Sequence, residues 1–291
     1  MRIENIWAKG YGNIQLIIDE KTALVDCAMS INEKEILDGI RSYLGSRPLD
    51  YVLLTHSHFD HVGCLSALRR EYPGLEVFAS EKTSKVFKSE GARSFIKKMT
   101  EDLAKVHTGE GLSAYDDSGL YVDHVVGEGD KISLGNAVLT VVESKGHTDC
   151  SISFWCREEA TLFASESCGV WFGKFPINLE ICKGYKDVLA SIRKQRKLGV
   201  EKLYVSHSGL FTGGSPNEYF SMAEYCMIRY KDLVYTAFEE GRNDEEIWQL
   251  CKENIYDVML ENGILMDSYE RWLVNTKAFV SFARKDYCMN K

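Results

Sequence analysis

The segment Thr55-His56-Ser57-His58-Phe59-Asp60-His61 constrains this chain more than any other feature. There are only seven histidines in 291 residues, and three of them lie between positions 56 and 61 with an aspartate among them. The preceding run, Tyr51-Val52-Leu53-Leu54-Thr55, is short and apolar and is bounded by Pro48, which predicts a buried strand. Loops leaving strand ends are accessible yet rigidly held, so their side chains can converge on one point. Imidazole and carboxylate are the usual ligands of a borderline divalent ion such as zinc. Four ligands in six residues cannot all reach one tetrahedral ion, so two ions fit better. The competing reading is a polar loop whose histidines cap the next helix, and three later segments weigh against it. Gly146-His147-Thr148 follows a predicted strand, Phe163-Ala164-Ser165-Glu166 puts an acid at another strand end, and Val205-Ser206-His207-Ser208-Gly209 does the same with a histidine. Strand ends are where an α/β sheet builds its sites.

The rest of the chain supplies a scaffold of that kind. Residues 14–18 and 22–26, separated by Asp19-Glu20-Lys21, predict a hairpin. Ile36, Leu37, Ile40, Tyr43 and Leu44 share one helical face, with Gly45 as the stop. Val62, Leu65 and Leu68 predict a further helix, and Glu76-Val77-Phe78 a short strand. Residues 80–122 are polar and mixed, with helical pieces around 80–105, and read as a lid or insertion. Short strands return at 131–134, 137–142, 151–156 and 161–165, followed by a helix over 184–198 and a strand over 202–205. From residue 215 only helical spacing remains, as in Tyr219, Met222, Ala223, Cys226 and Tyr230. The expected organisation is a mixed α/β body over residues 1–214 and an all-helical extension over 215–291.

Composition narrows the function classes. With 45% hydrophobic residues the chain can bury a substantial core. A net charge of −8 argues against nucleic-acid or anionic-membrane partners, which need a basic surface. No apolar run approaches 20 residues and no basic-then-apolar start is present, so a soluble, non-exported, cytoplasmic protein is expected. Nine scattered cysteines without a C-x-x-C pair fit buried thiols in a reducing compartment.

These motifs, in this order, resemble the metallo-β-lactamase superfamily: H-x-H-x-D-H at His56, His58, Asp60 and His61, then G-H-T at His147, an acid after an L-F strand, and S-H-S-G at His207. The resemblance covers residues 2–214 and implies the four-layer αβ/βα sandwich with metals at one edge. It implies two divalent transition-metal ions, the first held by His56, His58 and His147, the second by Asp60, His61 and His207, with Glu166 bridging. The family normally has aspartate where Glu166 stands, and the extra methylene carries the carboxylate about 1.3 Å further. Cys168, two residues on, is expected to pack in the core, as are Cys64 and Cys150. His107 and His124 lie outside the motifs. Trp171 and Phe172 are candidates either for the substrate cleft or for the core. Zinc suits the ligand set, and iron and manganese accept it too.

The expected chemistry is hydrolysis of a small-molecule ester or thioester by a hydroxide bridging the two ions, with Asp60 orienting it and carrying a proton. The helical extension resembles that of glyoxalase II-like thioesterases. Exported β-lactamases fit the chain start poorly. Oxygen-reducing flavodiiron relatives carry glutamate at the place of His58. The alternatives are a phosphodiesterase-type hydrolase and a catalytically weak metal-binding sensor. The expected partner is a small-molecule substrate, and the expected state is a monomer or homodimer.

Overall fold

In the computed structural model of the chain, residues 1–109, 112, 115–173, 176–179, 181, 184–263 and 269–289 are described. By its own contacts the chain divides into two compact units. The first comprises Met1–Glu143, Cys150–Ser165 and Lys202–Leu210; the second comprises Ser144–Asp149, Glu166–Glu201 and Phe211–Lys291. The units interleave along the chain, whereas the hydropathy pattern predicts one boundary at residue 214.

The first unit is built on two sheets. One runs β1 (Arg2–Ala8), β2 (Gly12–Ile18), β3 (Thr22–Val25), β4 (Tyr51–Leu53), β5 (Glu76–Ser80) and β6 (His124–Val126) in spatial order. β1 to β3 are antiparallel and β3 to β6 parallel. The connections between the parallel strands carry helices, as parallel pairing requires: α1 (Glu33–Leu44), α2 (Phe59–Val62) and α3 (Leu65–Glu71), and α4 (Glu81–Lys88) with α5 (Glu90–Thr108). Ile36 and Ile40 of α1 and Leu65 and Leu68 of α3 join Leu24, Val52 and Val77 of the sheet in one apolar cluster. Phe87 and Ile96, from the segment expected to be a lid, belong to that cluster as well. Ser80 caps α4 by accepting from Thr83 N.

The second sheet has β7 (Lys131–Ser133), β8 (Val138–Glu143), β9 (Ile152–Cys156), β10 (Thr161–Ala164), β11 (Lys202–Val205) and β12 (Gly209–Thr212). Its β10–β11 pair is parallel. The two sheets face each other across a core that joins Ile17, Val25 and Leu53 of the first to Val141, Phe154 and Phe163 of the second. Strands buried on both faces lose the polar alternation, which is why β3, β9 and β10 read as continuous apolar runs.

Helices make up most of the second unit: α6 (Tyr185–Arg196), α7 (Ser215–Glu239), α8 (Asp244–Cys251), α9 (Asp257–Glu261) and α10 (Tyr269–Met289). α7 packs on α6, α8 and α10. Asn243 and Glu246 form a reciprocal capping box at the start of α8. Between α8 and α9 the helix widens into a π-turn, Lys252–Tyr256.

Candidate metal centre

Parallel pairing sets up the first unit's part of the site. β3 and β4 lie side by side with Val25 opposite Leu53, so the residues that follow each strand emerge together. Asp26 follows β3 directly and is buried, with its backbone in the left-handed region at φ 60°. Its carboxylate accepts from Thr55 N (2.8 Å) and from Thr55 Oγ1 (2.8 Å), and the His61 Nδ1 lies 2.9 Å from its Oδ2. Three donors compensate a carboxylate that would otherwise be costly to bury.

This arrangement fixes the histidine tautomers. The Asp26 carboxylate already accepts from Thr55, so a neutral His61 presents Nδ1–H to it and keeps a lone pair on Nε2. Thr55 spends its single hydroxyl proton on Asp26. Its oxygen, 2.9 Å from His56 Nδ1, therefore accepts from that ring, and His56 also keeps Nε2 as a lone-pair site. His207 lies two residues beyond β11, also in the left-handed region at φ 64°. It donates Nδ1–H to the Tyr11 carbonyl at 2.7 Å, which leaves its Nε2 in the same state. A ring whose other nitrogen is committed in this way is the form that binds a metal.

The rings lie in a row. His56 is 4.6 Å from His58 and 4.0 Å from His61, and His61 is 5.3 Å from His207, centroid to centroid. His58 caps the N-terminal end of α2 with extended backbone, and Asp60 lies in the first turn. Asp60 Oδ2 stands 3.6 Å from His61 Nε2 and 3.6 Å from His207 Nε2. Ligand atoms 2.0–2.1 Å from a common tetrahedral ion are about 3.4 Å apart, so this spacing suits shared coordination.

The second unit carries the other two predicted ligands. Glu166 opens a short 3-10 turn, Glu166–Cys168, two residues past β10, and is buried. Its Oε2 lies 3.4 Å from His147 Nε2, again the spacing of two ligands on one ion. Ser167 Oγ accepts from His147 N, and Ser191 Oγ donates to Lys145 O at 2.7 Å, which ties the His147 loop to α6. Gly146 permits the turn at φ 134°; a Cβ there would stand 2.5 Å from Val188. The donors are imidazoles and carboxylates, which suit a divalent transition metal.

Other sequence candidates fall elsewhere. Cys168 is buried, and burial pushes its thiol up to about 12, away from thiolate. Trp171 packs 5.4 Å from Phe211 while Phe172 is exposed. His124 lies within β6, paired with Glu76 at 3.1 Å on the surface. The His107 side chain and Cys182 lie outside the described residues. Asp26, Thr55 and Tyr11 escaped the sequence reading, although an acid directly after an apolar strand is the same signal that marked Glu166.

The fold matches the crystal structure of an archaeal metallo-beta-lactamase superfamily protein from Sulfolobus tokodaii, with a TM-score of 0.62, 20% identity, and 97% of this chain and 98% of that one covered. A hydroxyacylglutathione hydrolase of Haemophilus ducreyi is 25% identical over 190 residues, 63% of this chain and 60% of that one. A rubredoxin-oxygen oxidoreductase of Megalodesulfovibrio gigas is 27% identical over 158 residues, 54% of this chain and 33% of that one. Against other curated relatives the chain spans about half their length. Residues 7–167 match the model of the Metallo-beta-lactamase superfamily, and with the αβ/βα fold and the histidine and carboxylate set in place, the chain belongs to that superfamily.

Proposed function

We propose that the protein is a two-metal hydrolase of a small-molecule ester or thioester, with His56, His58 and His147 as ligands of one ion, Asp60, His61 and His207 as ligands of the other, and Glu166 shared between them. The observation that carries this reading is the commitment of Nδ1 on His56, His61 and His207, which leaves three Nε2 lone pairs. Bound divalent ions would lower the pKa of a water molecule toward neutrality and polarise a substrate carbonyl.

The chain's own groups would do the rest. Asp60, at the start of α2 and partly open to solvent, would take a proton and pass it to a leaving group. Asp26 and the Tyr11 carbonyl would hold the imidazoles against rotation, so that the ligand positions are set before substrate arrives. Two divalent ions outweigh the charge of Asp60 and Glu166, which favours an anionic or carbonyl-bearing substrate despite the acidic composition. Zinc is the ion that best suits this donor set.

The test is a metal analysis of the purified full chain, joined to assays on one thioester, one lactone and bis-p-nitrophenyl phosphate. About two metal equivalents per chain are expected, with thioester or lactone turnover lost in His58→Ala. Turnover of the phosphodiester alone would replace the ester reading with a phosphodiesterase. Bound metal with no turnover of any substrate would favour a sensor. Less than one equivalent from metal-rich medium would overturn the ligand assignment.

A further inference from the structure

Apart from the metal ligands, the second unit carries a partly open cavity of about 330 Å³. α7 contributes Tyr225, Arg229, Tyr230 and Leu233, which recur at one-turn and two-turn spacing on one face. α10 contributes Trp272, Thr276 and Phe279, again one face. The π-turn presents Asn254 and Ile255, and Val258 of α9 follows them. Such turns insert an extra residue into a helical ridge and recur at functional sites. The walls are braced: the Tyr230 and Phe279 rings are 4.3 Å apart, Tyr230 Oη donates to Thr276 Oγ1, and Trp272 packs 5.1 Å from Tyr256.

The size falls at the lower end of small-molecule pockets, which bind by an apolar lining and a few placed polar groups. Among the described lining residues Arg229 is the one charged side chain and none carries a carboxylate. In a chain of net charge −8 that imbalance is local and specific. The exposed Arg229 guanidinium donates to Tyr225 Oη at 3.1 Å, which holds the cation beside a lining of apolar side chains with a few amide and hydroxyl groups.

We propose that this cavity binds a hydrophobic monocarboxylic acid, its alkyl or aryl tail among the rings of α7 and α10 and its carboxylate paired with Arg229. Guanidinium offers a carboxylate two parallel N–H donors, and the aromatic walls contribute contact area without ordering flexible chains. The inference does not rest on the hydrolase reading, since none of its residues is a metal ligand.

The full-length protein would be titrated calorimetrically with octanoate and, separately, with 1-octanol, before and after treatment with EDTA. Saturable one-to-one octanoate binding is expected, unchanged by EDTA. Arg229→Gln is expected to weaken octanoate at least about tenfold while leaving octanol within about twofold. Val258→Trp, or Ile255→Phe if the former does not fold by circular dichroism, is expected to abolish binding of both. Failure of octanoate to saturate overturns the proposal. So does loss of binding with EDTA, an equal effect of Arg229→Gln on both probes, or undiminished binding in a folded cavity-filling variant.

Discussion

A single buried carboxylate, Asp26, orients two of the histidines, one directly and one through the Thr55 hydroxyl. Asp26→Asn keeps the shape but puts an amide donor against Thr55 N–H or His61 Nδ1–H. Metal affinity is therefore expected to fall about 10–100-fold, read by chelator competition with the fold checked by circular dichroism. Glu166→Asp withdraws the carboxylate by about 1.3 Å from a position 3.4 Å from His147 Nε2. It is expected to lose at least part of one metal equivalent by elemental analysis, and full retention would show that the longer side chain is not needed. Burial raises the thiols of Cys27, Cys64 and Cys168, whereas Cys288 is exposed. Iodoacetamide at pH 8 is expected to modify Cys288 and spare those three, as read by peptide mass spectrometry. The seven proposed ligands were legible because their chemistry is unusual at strand ends. Asp26 was not, because nothing local links it to His61 35 positions later; the parallel pairing of β3 with β4 creates that link.

Elements were legible where burial dictated the pattern. The β2–β3 hairpin, α1, β4 and the strands from β7 to β11 appear close to their expected places because each buries a face or both faces. β1 was missed since it is an edge strand whose Arg2, Ile3, Glu4 and Asn5 are only partly buried or exposed, with Trp7 exposed as well. β6 and β12 are too short and too open to leave a periodic signal. The π-turn breaks helical spacing by one residue, which hydropathy alone cannot distinguish from a helix end. Residues 80–122 read as polar because α4 and α5 face solvent along most of their length and bury few large apolar residues, such as Phe87 and Ile96, beside small or polar ones such as Thr83, Ser84 and Thr100. The start of β2 carries a prediction of its own. Gly12 has φ +108°, and a Cβ on it would stand 2.6 Å from His207 O. Gly12→Ala is expected to push the His207 loop outward, lowering metal content while leaving the circular dichroism spectrum near wild type.

For the molecule as a whole, metal binding and stability should be linked, because ions bound only by the folded chain favour that state. At free metal near a hundredfold above Kd the linkage is worth about 2.7 kcal/mol. EDTA is therefore expected to lower Tm by roughly 5–10 °C in differential scanning calorimetry, taking about 2–4 °C per kcal/mol for a large domain. No helix among the described residues is long and apolar enough to cross a membrane. The interleaving of the two units has a consequence for synthesis. β10 and β11 are parallel neighbours, yet residues 165–201 lie between them, most of them in the second unit. A chain still on the ribosome thus carries β10 and Glu166 well before β11 exists to pair with the strand, and the second sheet stays incomplete until residues 202–212 emerge. His207 comes out between β11 and β12, the last two strands, and is the final one of the seven proposed ligands to be made. Closure of the sheet and completion of the ligand set are one event in time, so a nascent chain acquires its full grip on metal only when its β-structure is finished, while most of the helical extension has yet to be translated.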